Sequence, residues 1–209
     1  MGTLSVTTHY RRLVLAMIAA SLIPLPVSAD CTDTSVDTGA VRSLMTATSL
    51  ATLDNQFAHV DQHDLTLVAV YRKRRLVLSA TKDEQIRYLE SLPTTRSELS
   101  RVYALTDSQG ICEDPFIIDV VYNMFDTAAR IVRGRGRFHR RFIGLCDLTD
   151  GEIGEVAWPA FNWWLKKDTA RTVAALRSLS KETRTRLCDG QDPIDLTDRD
   201  AAKQCRSEL

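Results

Sequence analysis

The sequence predicts an all-α protein, an irregular helical bundle stapled by disulfides, and three observations carry that prediction. Apolar residues recur at three- and four-residue intervals in one segment after another, the period of a helix with one buried side. A threonine is followed three residues later by glutamate at Thr81/Glu84, Thr95/Glu98 and Thr149/Glu152, the spacing of a capping box. Five cysteines (Cys31, Cys112, Cys146, Cys188 and Cys205) all come after a segment with the character of an export signal, so they belong in an oxidising compartment.

The chain reads as three parts: a signal peptide at 1–29, a single helical domain at 30–188 and a polar C-terminal tail at 189–209. Arg11 and Arg12 form the basic start of the signal, Leu13 to Leu25 its apolar run, and Val27-Ser28-Ala29 the cleavage site. The run is shorter than the roughly 20 residues of a membrane span, so cleavage rather than anchoring is expected. The arginine pair also fits a twin-arginine route, against which Tyr10 speaks. Asp30 before Cys31 is not the small residue that a lipid-attachment site requires. The expected mature protein is soluble, periplasmic or secreted, and at about 180 residues long enough for one core.

Within the domain, Val41, Leu44, Thr48, Ala51, Phe57 and Val60 place one helix between Ala40 and Val60. In Leu65–Ala80, apolar residues surround Arg72-Lys73-Arg74-Arg75, which suits a helix with a charged flank or two short strands; the helical surroundings favour the helix. Helices start near Lys82 and Arg96 behind their capping boxes, separated by Pro93, and Gly110 ends the second. Asp114-Pro115 starts the next, because proline in the first turn has no N–H to waste. Ile117, Val120, Val121, Met124, Ala128, Ile131 and Val132 make it one long core helix, ended or bent at Gly134 and Gly136. Beyond Thr149, a helix carries Ile153, Val156, Ala157, Phe161, Trp164 and Leu165, with a kink or restart at Pro159. Asp168 caps a segment bearing Val173, Leu176 and Leu179, Ser180 caps a short continuation, and Cys188-Asp189-Gly190 stops it.

In an up-and-down helical pair, the residue before the first helix and the one after the second share an end. That expectation pairs Cys146 with Cys188, a loop of about 40 residues whose closure stabilises by roughly 3–4 kcal/mol in the chain-entropy model. A further pair comes from Cys31, Cys112 and Cys205. The odd count leaves one thiol free or shared between two chains of a homodimer. Lys and Arg number 27, as do Asp and Glu, and loss of Arg11 and Arg12 with the signal leaves the domain near neutral. Such a balance argues against a general binder of nucleic acid or of membrane surfaces.

Three clusters are candidates for chemistry. Arg130, Arg133, Arg135, Arg137, Arg140 and Arg141 surround two glycines. Guanidinium forks suit carboxylates and phosphates, so the target is an acidic protein surface, a lipid head group or a polysaccharide; otherwise these are solvated charges at a helix end. Trp158, Trp163 and Trp164 lie close together, and adjacent helical positions diverge by about 100°. One of Trp163 and Trp164 therefore faces out, as an anchor for a partner, unless the buried face is wide. His59 and His63 are four apart, with Asp61 and Asp64 nearby, a candidate metal site that lacks the H-E-x-x-H glutamate and otherwise reads as surface polar residues near a helix end. No nucleophile motif is present, and no cofactor is implied.

Gly110-Ile111-Cys112, Cys146, the run Thr149–Leu165 and Cys188 resemble the layout of the periplasmic Tai/Rap-type immunity proteins, which neutralise peptidoglycan-cleaving effectors delivered by type VI secretion. In that family a cysteine precedes a helix, a second precedes a G-x-x-x-G-Q-L-like helix ending near tyrosine-leucine, and a last closes an alanine-rich helix. Gly151-Glu152-Ile153, Trp164-Leu165 and Ala170 to Leu187-Cys188 follow that order. The resemblance covers 110–188. It departs at Pro159, at Lys166-Lys167-Asp168 in place of a histidine-proline-glutamate turn, and in the longer region before Cys112. It implies inhibition by tight protein–protein contact without catalysis, and it transfers no effector-gripping residue. The expected function is thus an exported helical immunity or inhibitor protein whose partner is a secreted effector. The alternatives are an envelope protein holding a polyanionic lipid or polysaccharide through Arg130–Arg141, and a metal-assisted hydrolase using His59 and His63.

Overall fold

Eleven α-helices and two 3-10 turns make up the regular structure among the described residues of the computed structural model, with no strand among them. The structure describes residues 35–189 apart from 134, 150 and 168, together with 203 and 207. The chain divides into two units, Met1–Asp30 and Cys31–Leu209, and every described residue belongs to the second. The signal segment, Cys31, Cys205, Gly134, the Asp168 cap and the tail beyond Asp189 lie outside the described residues.

Side-chain caps set the helix starts. Asp37 accepts from the Ala40 N–H at 2.9 Å and opens α1 (Thr38–Thr46). Ser49, in extended backbone, accepts from the Thr52 N–H at 3.1 Å and opens α2 (Leu50–Ala58). The single helix expected over 40–60 is therefore two, because Ala47 and Ser49 leave helical geometry. Asp64 caps α3 (Leu65–Leu78), which is helical throughout, as the sequence favoured. Thr81 and Thr95 cap α4 (Lys82–Glu90) and α5 (Arg96–Tyr103) as their spacing predicts. Glu98 returns to the Thr94 N–H at 2.6 Å, one residue upstream of the cap, whereas Glu84 turns to Arg75 instead.

A 3-10 turn (Ala104–Asp107) follows α5, and Gly110 sits in the next loop rather than at the helix end. Its φ of 82° is a conformation that glycine alone adopts cheaply, and its carbonyl accepts from Arg42 Nη2 at 2.6 Å. Asp114 caps α6 (Pro115–Val121), with proline at the first position. The long core helix expected here is broken at Tyr122–Asn123, and α7 (Met124–Val132) continues separately. The break redirects the chain. Ile117, Val120 and Val121 fill one hydrophobic core while Met124, Phe125, Ala128 and Val132 fill another.

A second 3-10 turn (Gly136–Phe138) leads into α8 (His139–Asp147), a helix the sequence did not announce. It has no side-chain cap at its start, so the usual signal is missing. Then come α9 (Gly151–Lys167), α10 (Thr169–Arg177) and α11 (Lys181–Asp189), the last capped by Ser180 accepting from the Thr183 N–H at 3.2 Å. Pro159 neither ends nor restarts α9, which runs through it. Pro159 and Glu155 are both exposed, so the carbonyl left without a partner four residues back faces water.

The first core joins α1, α2, α3, α5 and α6, and the second joins α4, α7, α8, α9, α10 and α11, with α5 lending Val102 to the first and Leu99 to the second. The most extensive helix–helix contact is between α7 and α9. A charged knot ties the pieces together. Arg75 on α3 donates to both Glu84 oxygens on α4, at 2.7 and 2.8 Å, and pairs with Asp54 on α2. Tyr71 donates to Asp54 at 2.8 Å and stacks on Phe57 with ring centroids 3.9 Å apart. The two hydrogen bonds from Arg75 hold the Glu84 carboxyl below the usual carboxylate range, against the opposing effect of burial. Lys73, also buried, reaches from α3 to Asp119 at 3.0 Å and Thr127 at 3.1 Å.

The expected Cys146–Cys188 bridge is not made. Cys146 is a free, fully buried thiol, and no bond joins any two of the described cysteines. The expectation took Cys146 as the residue before a helical pair, but it lies inside α8, on the face packed into the second core. Burial, and secondarily Asp147, pushes its thiol pKa well up.

Candidate functional site

The arginines between 130 and 141 divide into two groups once their partners are seen. Arg141 is bound to the backbone: Nε donates to the Leu89 carbonyl at 2.7 Å, and Nη2 to Glu90 and Leu92 at 2.7 and 2.6 Å. These carbonyls close the C-terminal end of α4, which an intrahelical donor cannot reach. Arg135 donates to the Gln85 side chain and to the Ile131 carbonyl. Arg130 pairs with Asp126 at 2.7 Å and lies 5.3 Å above the Trp163 ring. The six arginines, read from the sequence either as binding residues or as solvated charges, thus differ in their partners. Arg135 and Arg141 hold the loop and the end of α4 in place.

Arg133, Arg137 and Arg140 are exposed and make no ion pair among the described residues. Arg137 lies 4.6 Å over the Phe138 ring and lines two grooves that meet at Gly136. The first, about 390 Å³, has Arg137, His139, Arg140 and Arg171 on its walls and Ala174, Ala175 and Ser178 beside them. The second, about 460 Å³, is lined by Lys82, Ile86, Arg135, Gly136, Arg137 and Phe138. Among the described residues, neither has a carboxylate in its lining. A third groove, of about 220 Å³, differs: Glu90 and Glu98 sit in its wall with Arg141. Periodicity and motif spacing do not single out Lys82 and Arg171, since α4 and α10 are remote in sequence from the arginine run. The small side chains Ala174 and Ala175 are the one local signal of open space there.

The tryptophans separate as well. Trp164 is fully buried, in edge contact with His139 at 5.0 Å and Phe142 at 5.2 Å, so it is a core residue and not an anchor. Trp163 is half-buried beneath Arg130, and this is the residue of the adjacent pair that faces out. Trp158 is half-buried and lies across Gly154, where an added Cβ would come within 2.8 Å of the indole nitrogen.

His59 and His63 do not share a helix face, because α2 ends at Ala58. His59 Nδ1 lies 2.7 Å from the Asn55 carbonyl, Asp61 accepts from the His63 N–H at 2.8 Å, and Asp64 caps α3. Among the described residues, no group of three His, Cys, Asp or Glu is placed to hold a metal ion. No helix among them is long and apolar enough to cross a membrane.

No family model, curated protein or solved structure matches this chain.

Proposed function

We propose that this is an exported, disulfide-stabilised helical binding protein that acts by protein–protein contact, as an immunity or inhibitor protein does, without turnover. The observation that carries the reading is the arginine face: Arg133, Arg137 and Arg140 stand exposed and without ion pairs among the described residues. Arg135 and Arg141 stiffen the backbone beneath them. A guanidinium held on a stiff support loses little freedom on pairing with a carboxylate, so such a face suits an acidic partner. Export is supported by the signal-like residues 1–29. The staple is supported by the disulfide-bonded state of Cys112 and Cys188. The immunity assignment rests on the resemblance over 110–188.

The test is charge reversal. The variant Arg133→Glu, Arg137→Glu, Arg140→Glu and the wild-type protein are each used to capture partners from the envelope or secreted fraction. A protein retained by the wild type is then purified and titrated. Binding at least about tenfold weaker in the variant, with a thermal midpoint within about 2 °C, is the expected result. Equal affinity places the contact face elsewhere.

The lining of both grooves, free of carboxylates among the described residues, favours one second reading, in which a polyanionic lipid or polysaccharide is held. Salt separates the two. Polyanion binding driven by counterion release falls steeply as salt rises, and a protein interface with a buried aromatic anchor falls much less.

A further inference from the structure

We propose that the two grooves meeting at Gly136 form one bipartite carboxylate site for an extended acidic segment of a partner protein, with Arg137 as the shared wall. The inference rests on the binding reading above and adds to it the chemistry of the ligand and the residues that read it. Arg140 and Arg171 complete the first groove and Lys82 and Arg135 the second. Each groove thus offers at least two cations, while no acidic side chain among the described residues lines either one.

Each groove also has an apolar part, Ala174 and Ala175 in the first and Ile86 and Phe138 in the second. A charged head on a methylene stem satisfies both kinds of wall, and glutamate is that group. A phosphate or sulfate along a polymer backbone has no stem to place against alanine or phenylalanine. In an extended peptide, side chains two residues apart point the same way, roughly 7 Å from one another. Because the grooves share Gly136 and Arg137, successive same-side glutamates can enter them in turn. The positions are not alike in tolerance: Arg135 is already committed to Gln85, so Lys82 is the cation free to report on the second groove.

The probe is a synthetic peptide of alternating Glu and Ala, titrated against the full exported protein. Vesicles containing phosphatidylglycerol, and heparin, serve as separate arms. Arg140→Gln and Lys82→Gln are each expected to weaken the peptide about five- to tenfold, the scale of one ordinary net hydrogen bond at a solvent-exposed site. Arg137→Gln should weaken it more than either, Arg133→Gln, on the same face but outside both grooves, less than Arg140→Gln does, and Arg101→Gln, exposed on α5 and away from both linings, less than twofold. A peptide with a single Glu should respond to one groove's variants and not to both.

Equal loss in Arg133→Gln and Arg140→Gln makes the face diffuse, which overturns the bipartite site and leaves the proposed function standing. Peptide binding that no arginine variant alters overturns both. Groove-dependent binding of heparin or vesicles, with none of the peptide, overturns the assignment to a protein segment. Thermal midpoints of all variants are measured alongside, and a variant that unfolds is replaced by Arg140→Lys, which keeps charge and loses the fork.

Discussion

Arg140 and Arg141 are neighbours in sequence with opposite fates: one is exposed in a groove wall, and the other has three backbone carbonyls within 2.7 Å. Arg42 on Gly110 and Arg74 on Ala47 do the same work as Arg141, supplying donors to carbonyls where segments end. Hydrogen bonds to a charged donor contribute about 1.5–3 kcal/mol, and removal of the donor leaves half-buried carbonyls unpaired. Arg141→Ala is therefore expected to cost about 2 kcal/mol and lower the thermal midpoint by about 4–8 °C. Arg140→Ala should move it by less than about 2 °C. Thermal denaturation of the pair side by side checks this, and equal shifts would place both residues in one class. A string of arginines in a sequence shows positive charge but not which guanidinium meets a carbonyl, because the carbonyls come from some 50 residues upstream.

The helices themselves divide the same way. Where a start is marked by a side chain reaching a nearby N–H, as at Thr81, Thr95, Asp114 and Ser180, local chemistry was enough. Breaks without such marks were not legible. The stripe from Ile117 to Val132 is unbroken in pattern, and the chain divides there because its two halves serve different cores. Helix α8 opens on a 3-10 turn with no side-chain cap.

Pro159 is the reverse case, a strong stop signal overruled by context. The packing of Ala157, Ala160, Phe161 and Trp164 holds α9 helical across it, and the orphaned carbonyl is on the wet side. An interior proline costs about 3 kcal/mol relative to alanine, partly offset by its stiffening of the unfolded chain. Pro159→Ala should thus stabilise by about 2 kcal/mol and raise the midpoint by about 4–8 °C. No rise would mean that water already satisfies the freed carbonyl fully.

At the scale of the whole molecule, the Arg75 knot decides how α2, α3 and α4 stand to one another. Glu84 is buried with its pKa lowered, chiefly by the hydrogen bonds from Arg75. A carboxylate with a folded pKa below its unfolded value stabilises fully above the unfolded value, near 4.3, and loses that contribution as pH falls through the folded value. The domain should accordingly lose midpoint from about pH 4.3 downward. In Glu84→Gln the midpoint at neutral pH should fall by about 6–12 °C, since removing one partner of a buried pair costs about 3 kcal/mol. The difference between neutral and acid midpoints should shrink in that variant. An acid limb of unchanged depth would show that other carboxylates govern it. Asp54 shares the knot, but its half-exposed side chain makes its part weaker.

The sequence by itself determined what depends on neighbours within one turn: that the chain is helical, where the capped helices begin, and that adjacent tryptophans must face different ways. Tertiary structure alone decided that Cys146 is a free core thiol, that Lys73 and Arg75 point inward, and that Lys82 and Arg171 join Arg137 and Arg140 around Gly136. The reason is one of range. Periodicity and capping are set by side chains a few residues apart, whereas a buried charge or a groove wall is set by which helix packs opposite, and the partners lie tens of residues away.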